Sequence, residues 1–201
     1  MPESMGIPAP TKRAFSKFEV ESDIVDRMLM LLGHKDFFLC NPNDGQKVEC
    51  GADVLTKFDH LIGFQVTQYH FDLGMDAATK RSRARVEESQ RRRAGLPVAI
   101  FGTQFSMPAL IHLLQEKSKK GWSQKDFPDM RLVIAASVPQ EGGMASTFLL
   151  ETPLDQMNAE LSPILARSKY SAAYLYVILQ GVVYEWVKET GWKKVACVQA
   201  N

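Results

Sequence analysis

The nine-residue run from Met130 to Val138, MRLVIAASV, is apolar almost throughout, and it narrows the fold more than any other segment. A strand with one wet face alternates polar and apolar side chains, whereas a near-continuous apolar strand is buried on both faces. Such burial requires helices above and below a sheet. The segment upstream supplies one, because Met107 to Lys120 carries Leu110, Leu113 and Leu114 on a single helical stripe. The expected fold class is therefore α/β, with a central mixed sheet flanked by helices.

Other elements follow from local signals. Ser16 and Glu19 form a capping box, in which the serine oxygen accepts from the third backbone N–H and the glutamate reaches back to the serine N–H. Val20, Ile24, Val25, Met28, Leu29, Leu31 and Leu32 then recur at helical spacing and Gly33 follows, which predicts a helix over 17–32. Short β-type runs at Phe37 to Cys40, Val48 to Phe58 and Leu61 to Tyr69, separated by NPNDG and the Asp59-His60 corner, suggest an antiparallel meander. An arginine-rich helix is expected from about 77 to 94, then a short strand over 97–102. Asp155 to Arg167 reads as a helix despite Pro163. YLYVIL, Gln180-Gly181 and VVYEWV fit a hairpin, with one long buried helix as the rival reading.

Length and composition set bounds. The 201 residues, 45% hydrophobic and 23% charged, suit one ordinary globular domain, placed at 16–201 behind a loose proline-containing tail at 1–15. The longest apolar run, Ala172 to Leu179, is far short of the ~20 residues that a bilayer-spanning helix needs, so no membrane segment is expected. Three scattered cysteines do not make a disulfide framework, and a cytoplasmic location is expected. Cys40, Cys50, His60 and His70 lack the short spacing of a zinc site.

The formal net charge of +1 conceals an asymmetry. Seven basic side chains, among them Lys80, Arg81, Arg85, Arg91 and Arg92, lie between residues 80 and 93 against two glutamates. Such a run is either a solvated face braced by its own ion pairs or a ridge that contacts nucleic-acid phosphates.

The candidate site rests on two side chains. Gly51-Ala52-Asp53 puts an aspartate on the first strand of a pair, and Ile62-Gly63-Phe64-Gln65 puts an amide on the second, twelve residues on. With a three-residue loop at 58–60 the two lie opposite each other on one face, and a two-residue loop would separate them. The bland reading makes Asp53 a turn cap and Gln65 a solvent-facing strand residue.

Helix, strand pair with a carboxylate, helix, strand, helix and strand is an order that resembles the PD-(D/E)xK, or restriction-endonuclease-like, nucleases. The resemblance implies that Asp53 and Gln65 hold a divalent cation such as Mg²⁺, with Glu21, and secondarily Glu19, lending a carboxylate from the first helix. Thr67 stands where that family has lysine. Lys117, four residues after Leu113 on the apolar stripe, is the expected substitute, and its plain alternative is a side chain lying along apolar surface with its ammonium in water.

The resemblance thus implies a Mg²⁺-dependent phosphodiesterase, a hydrolase acting on nucleic acid, with Asp53, Gln65 and Lys117 as catalytic residues. The alternative is a catalytically inactive module on the same scaffold. It would bind nucleic acid through the arginines, or a protein partner through the aromatic hairpin of Tyr174, Tyr176, Tyr184 and Trp186.

Overall fold

In a computed structural model, residues 16–42, 51–69, 107–119, 129–136 and 154–197 are described. The expected tail, the arginine-rich helix with Lys80, Arg81, Arg85, Arg91 and Arg92, and the strand over 97–102 lie outside them. Described elements run in the order α1 (Lys17–Leu31), β1 (Phe38–Cys40), β2 (Val54–Lys57), β3 (Leu61–Tyr69), α2 (Met107–Ser118), β4 (Met130–Ala136), α3 (Leu154–Glu160), α4 (Ser162–Ala166), β5 (Ala172–Val177), β6 (Val182–Val187) and β7 (Gly191–Cys197).

Helix α1 begins at the capping box, with Ser16 Oγ accepting from Glu19 N–H at 3.2 Å and Glu19 Oε2 accepting from Ser16 N–H at 2.7 Å. It ends in a Schellman motif: Gly33 takes φ +86°, its N–H donates to the Met30 carbonyl, and His34 N–H donates to the Leu29 carbonyl.

The seven strands form one mixed sheet in sequential order, β1 to β7. β1, β2 and β3 are the expected antiparallel meander. The steps from β3 to β4 and from β4 to β5 are parallel, and β5, β6 and β7 return to antiparallel pairing. Parallel neighbours need crossover connections, and α2 lies in the first of these and α3 and α4 in the second, whereas α1 precedes the sheet.

The two faces of the sheet carry two cores. On one, Ile24, Val25, Met28 and Leu29 of α1 pack over Val54, Phe64, Val66, Val133 and Tyr174. On the other, Leu110 and Leu114 of α2, Met157 of α3 and Leu165 of α4 pack over Leu132, Ile134, Leu175 and Trp186. β4 explains why its sequence reads as continuously apolar. Leu132 and Ile134 face one layer, Val133 and Ala135 face the other, and all four are fully buried.

Two expectations are settled by local geometry. The hairpin reading prevails over the helix, since β5 and β6 pair with Val177 opposite Val182 through a 3₁₀ turn and Gly181 at φ +57°. The single helix expected from Asp155 to Arg167 is instead two short ones broken at Leu161. Pro163 has no N–H to donate into a continuing helix, so the chain restarts with proline in the first turn, where that donor is not needed. No helix among the described residues is long and apolar enough to cross a membrane.

Candidate active site at the end of the second strand

Strand β2 is short because its first partner is a side chain. The β2–β3 register places Val54 opposite Phe64 across the three-residue bend at 58–60. One position earlier Asp53 N–H donates to the Phe64 carbonyl at 2.8 Å, and Asp53 Oδ2 accepts from Val66 N–H at 2.9 Å. The carboxylate thus extends the ladder ahead of Val54, the first β2 residue. Its other oxygen, Oδ1, is met from the α1 side.

From the α1 side comes a cation that the sequence reading did not single out. Lys17 Nζ lies 2.7 Å from Asp53 Oδ1 and 3.4 Å from Glu21 Oε1, so one ammonium bridges two carboxylates. The hydrogen bond to Asp53 raises the Lys17 pKa above its ordinary value. Burial, reinforced by the negative charge of Asp53, raises that of Glu21. Glu19, the secondary candidate, is committed to the helix cap.

From the α2 side comes Gln65, one of two polar side chains that are buried among the described residues. Its Nε2 donates to the Gly51 carbonyl at 3.4 Å, and its Oε1 accepts from the hydroxyl of Tyr170, the residue preceding the turn into β5. The same hydroxyl lies 3.4 Å from the Lys117 carbonyl at the end of α2. Burial and the nearby charge of Asp53 both push the Tyr170 phenol above its usual range. Tyr170 therefore links Gln65, Lys117 and the field of Asp53, although the sequence reading did not name it.

Lys117 is half-buried, and its positive charge acts on Glu21, favouring that carboxylate's ionised form. By strand alternation Thr67, half-buried, shares the face of Gln65. The corner consequently gathers Asp53, Glu21, Gln65, Lys17, Tyr170 and Lys117 from five parts of the fold. Among the described residues, no three His, Cys, Asp or Glu side chains gather closely enough to hold a metal.

Two carboxylates and an amide oxygen nevertheless suit Mg²⁺, which takes few protein ligands and keeps several waters. The Gln65 oxygen retains a second lone pair beside its bond from Tyr170. The corner also already accommodates a positive charge between its two carboxylates. These donor types are among those that the ion takes.

The aromatic hairpin is a different matter. Tyr174, Tyr176, Tyr184 and Trp186 are buried in the two cores, so they offer no surface to a protein partner. Their β-branched and aromatic composition reflects a doubly covered strand pair rather than a sticky face. No protein-family model, curated protein or solved structure matches this chain.

Proposed function

We propose that the corner built on Asp53 is the active site of a Mg²⁺-dependent phosphodiesterase that acts on nucleic acid, on a restriction-endonuclease-like scaffold. The observation that carries this reading is the meeting of Asp53 with Glu21 from α1 and with the Gln65–Tyr170–Lys117 group on the α2 side. A Mg²⁺ ion held by Asp53, Glu21 and Gln65 would supply Lewis-acid polarisation of a phosphodiester and a more acidic water.

The chain's own groups do the rest. Val66 N–H fixes one oxygen of Asp53, and Tyr170 fixes the Gln65 amide, so neither ligand has to be ordered when a substrate arrives. Lys117 contributes positive charge where negative charge develops on phosphorus, the role that Thr67 cannot fill. Lys80, Arg81, Arg85, Arg91 and Arg92 would neutralise phosphates along the nucleic acid.

The test is cleavage of plasmid and single-stranded DNA with Mg²⁺ or Mn²⁺. Wild-type activity that disappears in Asp53→Ala supports the reading, and absence of cleavage with either ion argues against it. A second reading, a catalytically inactive module that binds nucleic acid, is favoured by Thr67 and by the engagement of both ends of the Gln65 amide. In that case Asp53→Ala leaves DNA affinity intact.

A further inference from the structure

The Lys17 ammonium sits between the carboxylates of Asp53 and Glu21, the two charged ligands proposed for the cation. We propose that Lys17 is a built-in placeholder for that cation, neutralising the two carboxylates in the metal-free protein and swinging away when a divalent ion binds. The inference rests on the reading of Asp53, Glu21 and Gln65 as a cation site.

The two halves of this arrangement are built differently. Asp53 is fixed by backbone on both sides, through its own N–H to Phe64 and through Val66 N–H to its carboxylate, and its side chain is 17% exposed. The Lys17 side chain is 75% exposed. It stands at the first position of α1 and belongs to neither core, so it can leave without disturbing them. The carboxylates then remain in place as a preformed pair.

Charge explains why a placeholder is useful. Glu21 is disfavoured as an anion by burial and by Asp53, and Lys17 opposes both effects. Without a cation the corner would hold two close negative charges, both half-buried. An exposed lysine that reaches both carboxylates through its ammonium balances that charge until a cation arrives. It also sets a threshold, because an incoming ion must displace an ammonium as well as shed part of its water.

Calorimetric titration of Mg²⁺ and electron paramagnetic resonance titration of Mn²⁺ test this without reference to cleavage, on the full chain carrying Lys17→Met, Lys17→Arg or Arg27→Met. Arg27 lies on the same helix and pairs with Asp23, away from the corner, so it controls for loss of one positive charge. The expected result is at least about fivefold tighter cation binding in Lys17→Met, the equivalent of one surface ion pair. Lys17→Arg stays near wild type and Arg27→Met changes little.

Unchanged or weaker binding in Lys17→Met overturns the placeholder while leaving the cation site standing, provided that the wild type binds. An equal gain in Arg27→Met also overturns it, since a general field would then account for the effect. Absence of binding in both wild type and Lys17→Met removes the cation site and the placeholder together. Binding in Lys17→Met alone supports both.

Discussion

The hydroxyl of Tyr170 donates to the amide oxygen of Gln65 across 105 residues of chain, inside the layer between sheet and α2. This bond ties the approach to β5 to the middle of β3 and fixes which end of the amide faces which neighbour.

Tyr170→Phe keeps the ring and removes the donor, leaving a buried amide oxygen short of a partner. An unsatisfied buried group of this kind costs about 1–3 kcal/mol. Urea denaturation measures it, and a loss below about 0.5 kcal/mol would mean that water or Lys117 replaces the hydroxyl.

Asp53 has a structural duty as well as its proposed chemical one, because Val66 N–H has its carboxylate as acceptor. Asp53→Asn retains an oxygen for that donor and Asp53→Ala does not. The alanine variant should therefore be less stable than the asparagine variant by about 1 kcal/mol. Both should lose cleavage, and the comparison of melting curves with activity separates folding from chemistry.

Asp129 gathers Arg131 through two hydrogen bonds of 3.0 and 2.8 Å, His60 at 2.9 Å and the Ser171 hydroxyl, at the edge where β4 and β5 begin. Burial alone would raise its pKa, but the hydrogen bonds from Arg131, Ser171 and His60 outweigh burial and hold it well below the usual carboxylate range. A carboxylate with a lowered folded-state pKa stabilises above its unfolded value and loses that contribution as pH falls towards the folded value. Stability should thus decline as pH drops below about 4, and less steeply in Asp129→Asn. Parallel denaturant titrations from pH 6 to pH 2 would show whether the two slopes differ.

Gly191 opens β7 at φ +69°, and a Cβ there would collide with the Asn158 amide, which itself accepts from Trp192 N–H at 2.6 Å and donates to the Trp192 carbonyl at 3.2 Å. Gly33 has a similar φ but open space around it. Gly33→Ala should cost about 1 kcal/mol from backbone strain alone, and Gly191→Ala clearly more. Equal melting temperatures for the two variants would show that Asn158 yields freely.

The arginine-rich stretch makes a separate prediction. If it contacts phosphates, each neutralised phosphate releases counterions and DNA affinity falls steeply with salt. Replacing Arg91 and Arg92 together by alanine should then flatten the slope of log affinity against log salt by about 2. A slope unchanged from wild type would make the stretch a solvated face.

Most of the fold was legible because its signals are local. The capping box at Ser16 and Glu19 located the start of α1, the β-type run LIGFQVTQY after the Asp59-His60 corner gave β3 its observed limits, and MRLVIAA announced a strand covered on both sides. β7 was not legible. Its ladder jumps from Val183–Ala196 to Tyr184–Lys194, leaving Val195 as an extra residue, and that breaks the period of two on which strand reading depends.

The site divided in the same way. The three-residue bend and the β2–β3 register it sets, Val54 opposite Phe64, followed from spacings visible in the chain. Lys17 had a faint signal, since it lies four residues before Glu21 on one helical face. Tyr170 had none, because nothing near it in sequence indicates that it meets a strand 105 positions away.

The sequential strand order has a consequence for how the corner comes into being. Each outer meander closes by hairpins between neighbouring segments, while the two parallel steps in the centre join distant segments and are slow to form. Asp53 and Gln65 belong to the first meander, and Tyr170 enters at the threshold of the second. The Tyr170–Gln65 bond therefore forms late, once β3, β4 and β5 have come together, so the Gln65 amide gains its fixed orientation only as the fold is completed.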